Sequence, residues 1–401
     1  MTDESKMLLS LLSRALFSRE LDRGIKCDWK KVFGEAIDHS VGLLANEGLD
    51  RELVPGDILA KWTNYSRQLI INNVKCISDH VHLDCWMREA GIPYVVLKGC
   101  ASGHYYPDHT LRMMGDVDFI VPKEHLEKAK QLLLEKGLKP LDDYYAHASF
   151  LNEKTNSHFE LHFTLGGVPE GRAGDKVREY IDNIFDDKRE IGVDFGRLTV
   201  PSDFVHGLVM LAHTASHLMG VGIGLRHLCD WAVFVERFSD ERFRSIFEER
   251  LKEVGLWKYA KILTKASVRG LGATPKAFCE DADDKVADAL LEEIVGSGNF
   301  GRKKEDREAL LLFTTSLKSY SFEKKTPLGQ FMESQRDIVF DMWPVTKKAP
   351  ILLPAGWFFA DLSNIWNVIR GKKKLYSLKK VIEAAKPRRE LFRQLGLYSA
   401  E

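Results

Sequence analysis

The sequence predicts an α+β protein in which a small mixed sheet is flanked by an N-terminal helical arm and a helical C-terminal half. Three observations support this fold class. Apolar residues recur at helical steps before Pro93, strand-like patterns follow, and helical periodicity returns near Ser202. The predicted divisions are a helical region over residues 1–90, an α+β core over residues 91–200 and a helical domain over residues 201–401.

The composition is that of an ordinary globular protein. Hydrophobic residues make up 44% of the 401 residues, which is enough to bury a full core. Because one core rarely grows beyond about 250–300 residues, two or three substructures are expected. Lys and Arg together number 58, as do Asp and Glu, so no overall charge attracts long nucleic acid.

Neither a targeting signal nor a disulfide framework is expected. The segment MTDESKMLLSLL lacks the basic start and the small-residue cleavage site of a signal peptide. No apolar run approaches the roughly 20 residues of a membrane helix. The cysteines are scattered without a C-x-x-C pair, which disfavours a zinc knuckle and favours reduced thiols. A cytoplasmic protein without a transmembrane segment is therefore predicted.

The N-terminal arm is predicted to be helical from two segments. Apolar residues recur every three or four positions in residues 8–17 and again in residues 58–91. No strand-like alternation occurs before Pro93. The first strand is therefore expected only where the core begins.

The α+β core is predicted as two strands, a helix and two further strands. The segments are residues 92–99, 115–121, 124–137 and, joined by a polar turn, two strands within residues 146–165. Pro122 ends the second strand and Gly137 ends the helix. A Gly-rich connection then leads to the helical half.

Two carboxylates interrupt the apolar second strand. Residues i and i+2 of a strand point to the same face, so Asp116 and Asp118 project together. The alternate residues Val117 and Phe119 face a core. Carboxylates held this close repel each other unless a proton or a cation lies between them. Mg²⁺ suits such a site because it takes one or two protein carboxylates and completes its shell with water and phosphate.

A third acidic residue lies on a later strand. The segment SHFELHFTL alternates, and it places Glu160 on one face together with His158 and His162. If this strand lies beside the first, three carboxylates can hold two metal ions, as in phosphoryl or nucleotidyl transfer. Read alone, Glu160 is equally consistent with an exposed strand residue.

Together these segments resemble the uncharacterised bacterial nucleotidyltransferase group of the DNA polymerase beta-like superfamily. The resemblance covers residues 93–236 and is carried by Leu97–Gly99, Tyr106-Pro107, Arg112, GDVDFIV and Glu160-Leu161-His162. It implies a nucleotidyltransferase core in the mixed sheet. It also implies a Mg²⁺-dependent enzyme, with Mn²⁺ as the alternative metal, that moves a nucleoside monophosphate from an NTP such as ATP to an unknown hydroxyl or phosphate acceptor.

The resemblance also implies roles for individual residues. The implied catalytic carboxylates and metal ligands are Asp116, Asp118 and Glu160. Lys98 and Gly99 would form the turn that receives the nucleotide phosphates. Arg112 would reach the same triphosphate as a fork of donors. Members of the superfamily commonly carry Ser after this Gly, where the present chain has Cys100.

A predicted helix in the C-terminal half carries a stripe of histidines. His206, His213 and His217 are separated by seven and four residues, so they share one face. A zinc site would need a further ligand, and hydrogen-bonded histidines at a helix interface are the commoner arrangement. The resemblance favours contact of His213 and Arg226 with the nucleotide. Arg226 and Asp230 stand at i and i+4, where they would pair along their helix or join two helices.

The chain has one basic segment, at residues 370–393. Its cations include Lys372, Lys373, Lys374, Lys379, Lys380, Lys386, Arg388 and Arg389. A solvated helix face is the commoner meaning of this pattern, and weak contact with a polyanion or a membrane surface is the alternative.

Two other functions fit parts of the sequence. A degenerate nucleotidyltransferase fold would act as a nucleotide-binding or interaction module, which Cys100 favours and the three carboxylates disfavour. A glycosyltransferase would use the D-x-D motif with Mn²⁺ and a sugar nucleotide, but it needs alternating strands and helices ahead of that motif. The motifs identify neither the preferred NTP nor the acceptor, which we expect to be a small molecule or a protein.

Overall fold

A five-stranded mixed sheet forms the α+β core of the chain. The structure is a computed structural model that describes residues 1–143, 146–303, 336, 339, 343, 345–358 and 378–399. The strands of the sheet are β1 (Val95–Val96), β2 (Asp116–Ile120), β3 (Lys139–Asp143), β4 (His147–Asn152) and β5 (Ser157–His162). They lie in the order β1-β2-β5-β4-β3. β2 and β5 pair in parallel, and the other neighbours pair antiparallel.

Helices precede, interrupt and follow this sheet. Their bounds are α1 (Asp3–Phe17), α2 (Trp29–Asp38), α3 (Gly42–Glu47), α4 (Gly56–Glu89), α5 (Cys100–Gly103), α6 (Leu126–Glu135), α7 (Arg172–Asp182), α8 (Asp203–Met219), α9 (Leu225–Glu236), α10 (Asp240–Phe243), α11 (Glu249–Glu253), α12 (Trp257–Leu271), α13 (Asp284–Ser297), α14 (Val345–Lys348) and α15 (Leu378–Leu395). A separate hairpin consists of β6 (Lys188–Val193) and β7 (Gly196–Pro201). Within the described part of the chain, no helix combines the length and the apolar character needed to cross a membrane.

Alternation along β2 directs its side chains toward two different apolar cores. Val117 and Phe119 are fully buried in the core that the sheet shares with α4 and α6. Ile120 packs instead into the core that the helices α8, α9 and α12 form. Asp116 and Asp118 share the face of Ile120 because they lie four and two residues before it, respectively. The two carboxylates therefore face the helical part of the protein.

The N-terminal helices contribute to the same core as the C-terminal helices. Leu8 and Leu12 of α1 are fully buried in it, and α1 packs against α12. Just after α1, the Arg19 Nε donates a hydrogen bond to the Gly272 carbonyl oxygen at 2.9 Å, at the end of α12. The two ends of the described chain are thus joined by one apolar core.

The predicted fold class is confirmed, and three elements were missed. The structure forms β3, α7 and the β6–β7 hairpin, for which the sequence had suggested only connections. β3 was not predicted because it contains Pro140 and two aspartates, and both residue types are depleted in strands. Proline is tolerated here because β3 is an edge strand. The hairpin did carry a signal, since the buried Ile191 and Leu198 alternate with polar residues. The division of the chain at residues 90 and 200 stays a prediction.

The basic segment differs from its predicted character at one residue. Arg388 lies in α15 and is only 5% exposed, so it does not belong to a solvated face. Its guanidinium donates hydrogen bonds to the carbonyl oxygens of Leu218 and Gly220 and pairs with Glu293 at 3.2 Å. A cation buried at the end of α8 satisfies helix carbonyls that lack an intrahelical partner. Lys372, Lys373 and Lys374 lie outside the described residues, as do the side chains of Lys379 and Lys380.

Candidate active site

The register of β2 and β5 brings the three predicted carboxylates together. Asp116 lies opposite His158, and Asp118 lies opposite Glu160. Neighbouring strands are about 4.8 Å apart, so Asp118 and Glu160 project side by side from one face of the sheet. The predicted adjacency of the two strands is confirmed by this pairing. No local signal in the sequence specified that the strands would be parallel.

Asp118 is the buried member of the carboxylate pair. Its Oδ1 atom lies 2.8 Å from the Nζ atom of Lys98 and 3.1 Å from the Nε2 atom of His162. Burial alone would raise the pKa of Asp118, but the charge of Lys98 and the hydrogen bond from His162 hold it well below its usual range. The same contact raises the pKa of His162 even though burial opposes its charge. Asp118 is therefore a permanently ionised group.

Asp116 lies at the open side of the site and lacks such compensation. Its side chain is exposed, and among the described residues it takes part in no ion pair. Desolvation by the surrounding protein, followed by the charges of Asp118 and Glu160, raises the pKa of Asp116 to about 6. Uncompensated negative charge at this position is what a divalent cation would neutralise. The donor set of Asp116, Asp118 and Glu160 is thus suited to a hard cation such as Mg²⁺.

Glu160 is flanked by two imidazoles. The Nε2 atom of His147 lies 3.9 Å from one carboxylate oxygen of Glu160, and that of His162 lies 3.5 Å from the other. The three side chains meet because β4 and β5 pair in the register that puts His147 opposite His162. His147 was not a predicted site residue, since only this register, fixed by the turn between the strands, reveals it.

The turn after β1 is shaped by a glycine that no other residue can replace without strain. Gly99 has φ +59° and ψ −117°, a region that is essentially limited to glycine. A Cβ atom at this position would lie 2.6 Å from the buried Nε2 atom of His80, which has no hydrogen-bond partner among the described residues. The Lys98 side chain before the turn is 21% exposed and bridges the turn and Asp118. Glycine is therefore required here by the backbone conformation and by the close packing of the turn against His80.

Cys100, the departure from the superfamily pattern, points into the core. It is 4% exposed, and its Sγ atom lies 3.8 Å from the Sδ atom of Met114. Burial raises the pKa of its thiol to about 12, so the side chain stays protonated. The structure gives this side chain a packing contact, and the Gly99 turn itself is retained.

The loop before β2 is held by one buried asparagine of α4. The Nδ2 atom of Asn73 donates to the carbonyl oxygens of Thr110 and Arg112 at 2.7 and 2.9 Å. Its Oδ1 atom accepts a hydrogen bond from the Met114 N–H at 3.0 Å. Asn73 thereby fixes the backbone that leads into Asp116. No pattern in the sequence predicted this role, because a lone polar residue in a long helix is normally exposed.

Arg112 is committed to a buried ion pair. Its Nε and Nη2 atoms each donate to a carboxylate oxygen of Asp230 at 2.8 Å, and the Tyr106 hydroxyl donates to the same carboxylate at 2.7 Å. The Arg112 and Asp230 side chains are only 7% and 9% exposed. Asp230 thus joins α9 to the loop before β2 instead of pairing with Arg226 along its own helix. The predicted contact of Arg112 with the triphosphate stays a prediction.

Arg226 is a buried cation with few partners. Its Nη1 atom donates to the Met113 carbonyl oxygen at 3.4 Å, and its buried Nε atom has no hydrogen-bond partner in the described part of the chain. No ion pair in the described part of the chain includes Arg226, although its charge is close enough to lower the pKa of Asp116. Burial, followed by the charge of Arg112, lowers the pKa of Arg226 itself. A desolvated cation of this kind is stabilised by an anion.

Three neutral histidines lie beside Arg226 and Lys98. The rings of His213 and His217 are 4.3 Å apart, and those of His213 and His227 are 5.7 Å apart. Burial, followed by the charge of Lys98, lowers the pKa of His217 to about 4. Burial also holds the pKa values of His213 and His227 well below their usual range. His227 was not predicted. This histidine cluster, His213, His217 and His227, therefore adds no positive charge to the site at neutral pH.

His206 lies apart from the histidine cluster. Its ring stacks on Tyr105 at 5.3 Å, and burial lowers its pKa to about 3. The stripe predicted from spacing is thus divided between a core position and the candidate site. The end of α8 that carries His213 faces the carboxylates, as the effect of the Asp118 charge on His213 indicates.

The comparisons with known proteins identify one family. A family model described as an uncharacterised nucleotidyltransferase matches residues 26–266. The match covers more than half of the chain and includes every residue placed in the site above. A comparison with curated proteins gave no match.

Proposed function

Because the chain belongs to the uncharacterised nucleotidyltransferase family, we propose that it transfers a nucleoside monophosphate from an NTP to a hydroxyl or phosphate acceptor. In this reaction the acceptor oxygen bonds to the α-phosphorus while the bond to the pyrophosphate oxygen breaks. The observation that supports the proposal best is the register of β2 and β5, which gathers Asp116, Asp118 and Glu160 on one face. Placement of the family in the DNA polymerase beta-like superfamily, and a bacterial origin, rest on the motif resemblance alone.

The three carboxylates would hold the divalent cation that such transfers use. When bound there, Mg²⁺, or Mn²⁺ in its place, would neutralise phosphate charge and polarise the attacking oxygen. Asp118 is ionised throughout the physiological range and supplies the fixed charge, while Asp116 must lose its proton to contribute. Glu160, the register partner of Asp118, would accept the proton of the acceptor hydroxyl.

Two cations and one turn are available to the triphosphate. The turn at Gly99 would receive a phosphate group, as the motif resemblance implies, and Lys98 borders this turn. Arg226 offers an Nε–H that has no hydrogen-bond partner among the described residues, and His213 belongs to the histidine cluster near the carboxylates. Arg112 is buried against Asp230, so we propose that it orients the loop that enters β2 and leaves phosphate contact to Arg226.

A nucleotide-binding or interaction module without catalysis is the second candidate. The observation that favours it is the Lys98–Asp118 pair, because Lys98 compensates this carboxylate without a metal. The glycosyltransferase alternative loses support, since residues 1–94 form only helices and connections ahead of β1. A cytoplasmic location and a small-molecule or protein acceptor stay expectations from composition. So does weak contact of the basic segment with a polyanion or a membrane surface.

Thermal unfolding of the full chain separates these functions. Each of the four NTPs and a UDP-sugar is tested in Mg²⁺, in Mn²⁺ and in EDTA. A ligand that binds only the native state raises the Tm by mass action. We expect a Tm increase with an NTP that requires the metal, together with pyrophosphate release once an acceptor is supplied.

The control for this experiment is Asp116→Asn. This variant keeps the Lys98–Asp118 pair and should lose the metal-dependent increase in Tm. An NTP effect that is equal in Mg²⁺ and EDTA would favour the non-catalytic module. Stabilisation by a UDP-sugar with Mn²⁺ alone would contradict the proposed reaction.

A further inference from the structure

Two histidines at the candidate site are not metal ligands in the proposed reaction. His147 on β4 and His162 on β5 are register partners, and both rings lie on the face of the sheet that carries Glu160. One donor atom from each of the three residues can be chosen so that all three atoms lie within 4.8 Å of one another. The cluster therefore has the side chains and the compactness of a metal site.

The separations of these atoms fit coordination of one ion. Donor atoms bound at about 2.0–2.2 Å to a tetrahedral metal lie roughly 3.3–3.6 Å from one another. The His162 Nε2 atom lies 3.5 Å from one carboxylate oxygen of Glu160, and the His147 Nε2 atom lies 3.9 Å from the other. Because one donor atom from each residue lies within 4.8 Å of the other two, side-chain movements of about 1 Å would bring the three donors to ligand distance. The backbone need not move, because the strand register already aligns them.

The burial of the cluster supports a ligand role over a surface role. His162 is 6% exposed, its Nδ1 atom has no hydrogen-bond partner among the described residues, and its Nε2 atom contacts the carboxylates of Asp118 and Glu160. His147 is more open, with its side chain 19% exposed, which leaves a path for an ion. Three protein ligands would leave the fourth position of a tetrahedral metal open.

The donor types determine the class of metal. Imidazole nitrogen is a preferred ligand of Zn²⁺, Co²⁺ and other first-row transition metals, whereas Mg²⁺ prefers oxygen donors. We propose that His147, Glu160 and His162 form a second metal site that takes a divalent transition metal. The Asp116–Asp118 pair beside it remains the all-oxygen site. The two sites adjoin, since the Asp118 Oδ1 atom lies 3.1 Å from the His162 Nε2 atom.

This inference deepens the proposed function and rests on it for its catalytic meaning. Glu160 would be shared between activation of the acceptor and the transition metal, so the centre would contain two chemically different ions. Binding of the transition metal to the histidines does not itself require nucleotide. It can therefore be tested independently of the transfer reaction.

The test is metal binding by the full chain after treatment with EDTA and removal of the chelator. Co²⁺ is titrated by visible absorbance, and Mn²⁺ is examined by pulsed EPR for coupling to imidazole ¹⁴N. We expect ¹⁴N coupling in the wild type and its reduction in His147→Gln, with affinity for Co²⁺ lowered at least about tenfold. His158→Ala is the matched control, because His158 lies on the same strand but is exposed and outside the cluster.

Two further variants keep the outcomes distinct. Asp118 pairs with Lys98 and His162, so we expect His147→Gln to leave the Lys98–Asp118 pair intact even if His162 variants fold poorly. Asp116→Asn should lose Mg²⁺·NTP binding and keep ¹⁴N coupling. Transition-metal binding that is unchanged by His147→Gln, or the absence of ¹⁴N coupling in the wild type, would overturn the inference. Either result would leave the Mg²⁺·NTP proposal standing.

Discussion

At the scale of single residues, two neighbouring aspartates have opposite protonation behaviour. Asp118 is buried and paired with Lys98 and His162, which keeps its pKa low. Asp116 projects from the same face, but the surrounding protein and the neighbouring carboxylates raise its pKa to about 6. These two partners thus make Asp118 a fixed charge, whereas the charge of Asp116 depends on metal and pH.

This difference predicts the pH dependence of stability without metal. The pKa of Asp116 in the folded protein, about 6, lies above its ordinary value of 3.8. Its contribution to stability is therefore fully present below pH 3.8 and is lost as the pH rises through about 6. Measured in EDTA, the Tm of Asp116→Asn should exceed that of the wild type by an amount that grows between pH 4 and 7. A constant difference would contradict the assignment.

Asp118→Asn should behave in the opposite way. The substitution leaves Lys98 without its partner near a buried site, which we expect to cost roughly 2–3 kcal/mol of the free energy of unfolding. Urea unfolding in EDTA measures this loss, with Asp116→Asn as the matched control. Equal stability of the two variants would mean that the Lys98–Asp118 contact contributes nothing.

The sequence was sufficient to predict the carboxylates of the site but not several of their partners. Alternation placed Asp116 and Asp118 on one face because that periodicity is a local property of strands. His147 depends on the register between β4 and β5, which follows from turn geometry. The Arg112–Asp230 pair joins residues 118 positions apart, and no local pattern encodes such a contact.

At the scale of elements, the turn from β1 into α5 depends on close packing against α4. Gly99 combines a positive φ with an approach to His80 that leaves no room for a Cβ atom. Gly91, at the end of α4, has a similar φ of +60° but open space around the Cβ position. A comparison of the two positions therefore separates the cost of backbone strain from the cost of steric contact with His80.

Alanine at the two glycines should have different effects. Gly91→Ala should cost about 1 kcal/mol from backbone strain alone. Gly99→Ala should cost roughly 2–4 kcal/mol, because strain and the contact with His80 add. Chemical denaturation measures both, and His80→Ala should partly rescue Gly99→Ala but not Gly91→Ala. Equal losses at the two positions would exclude the contact with His80 as the cause.

At the scale of the whole molecule, the C-terminal helix supports the candidate site. Arg388 of α15 binds the carbonyl oxygens of Leu218 and Gly220 at the end of α8, directly after His217 and ahead of the helix that carries Arg226. The pair with Glu293 anchors the same guanidinium to α13. A cation from the far end of the chain thus holds the connection on which two site residues depend.

Arg388→Ala should therefore affect both stability and ligand binding. The substitution removes a buried cation together with its ion pair to Glu293, which should cost roughly 3 kcal/mol of the free energy of unfolding. The increase in Tm produced by Mg²⁺·NTP should also become smaller. Lys386→Ala is the control, since Lys386 lies in the same helix with an exposed side chain. An unchanged ligand effect in Arg388→Ala would separate α15 from the site.

The shared core of α1 and α12 has a consequence for how the protein is made. During translation, α1 emerges from the ribosome long before its packing partner α12, residues 257–271, has been synthesised. Until then, the apolar face of α1, including Leu8 and Leu12, has only part of its final cover. Domains generally fold as units during synthesis, yet this arm must wait for chain that follows the whole sheet. The nascent chain therefore presents an apolar helix to chaperones during most of its translation.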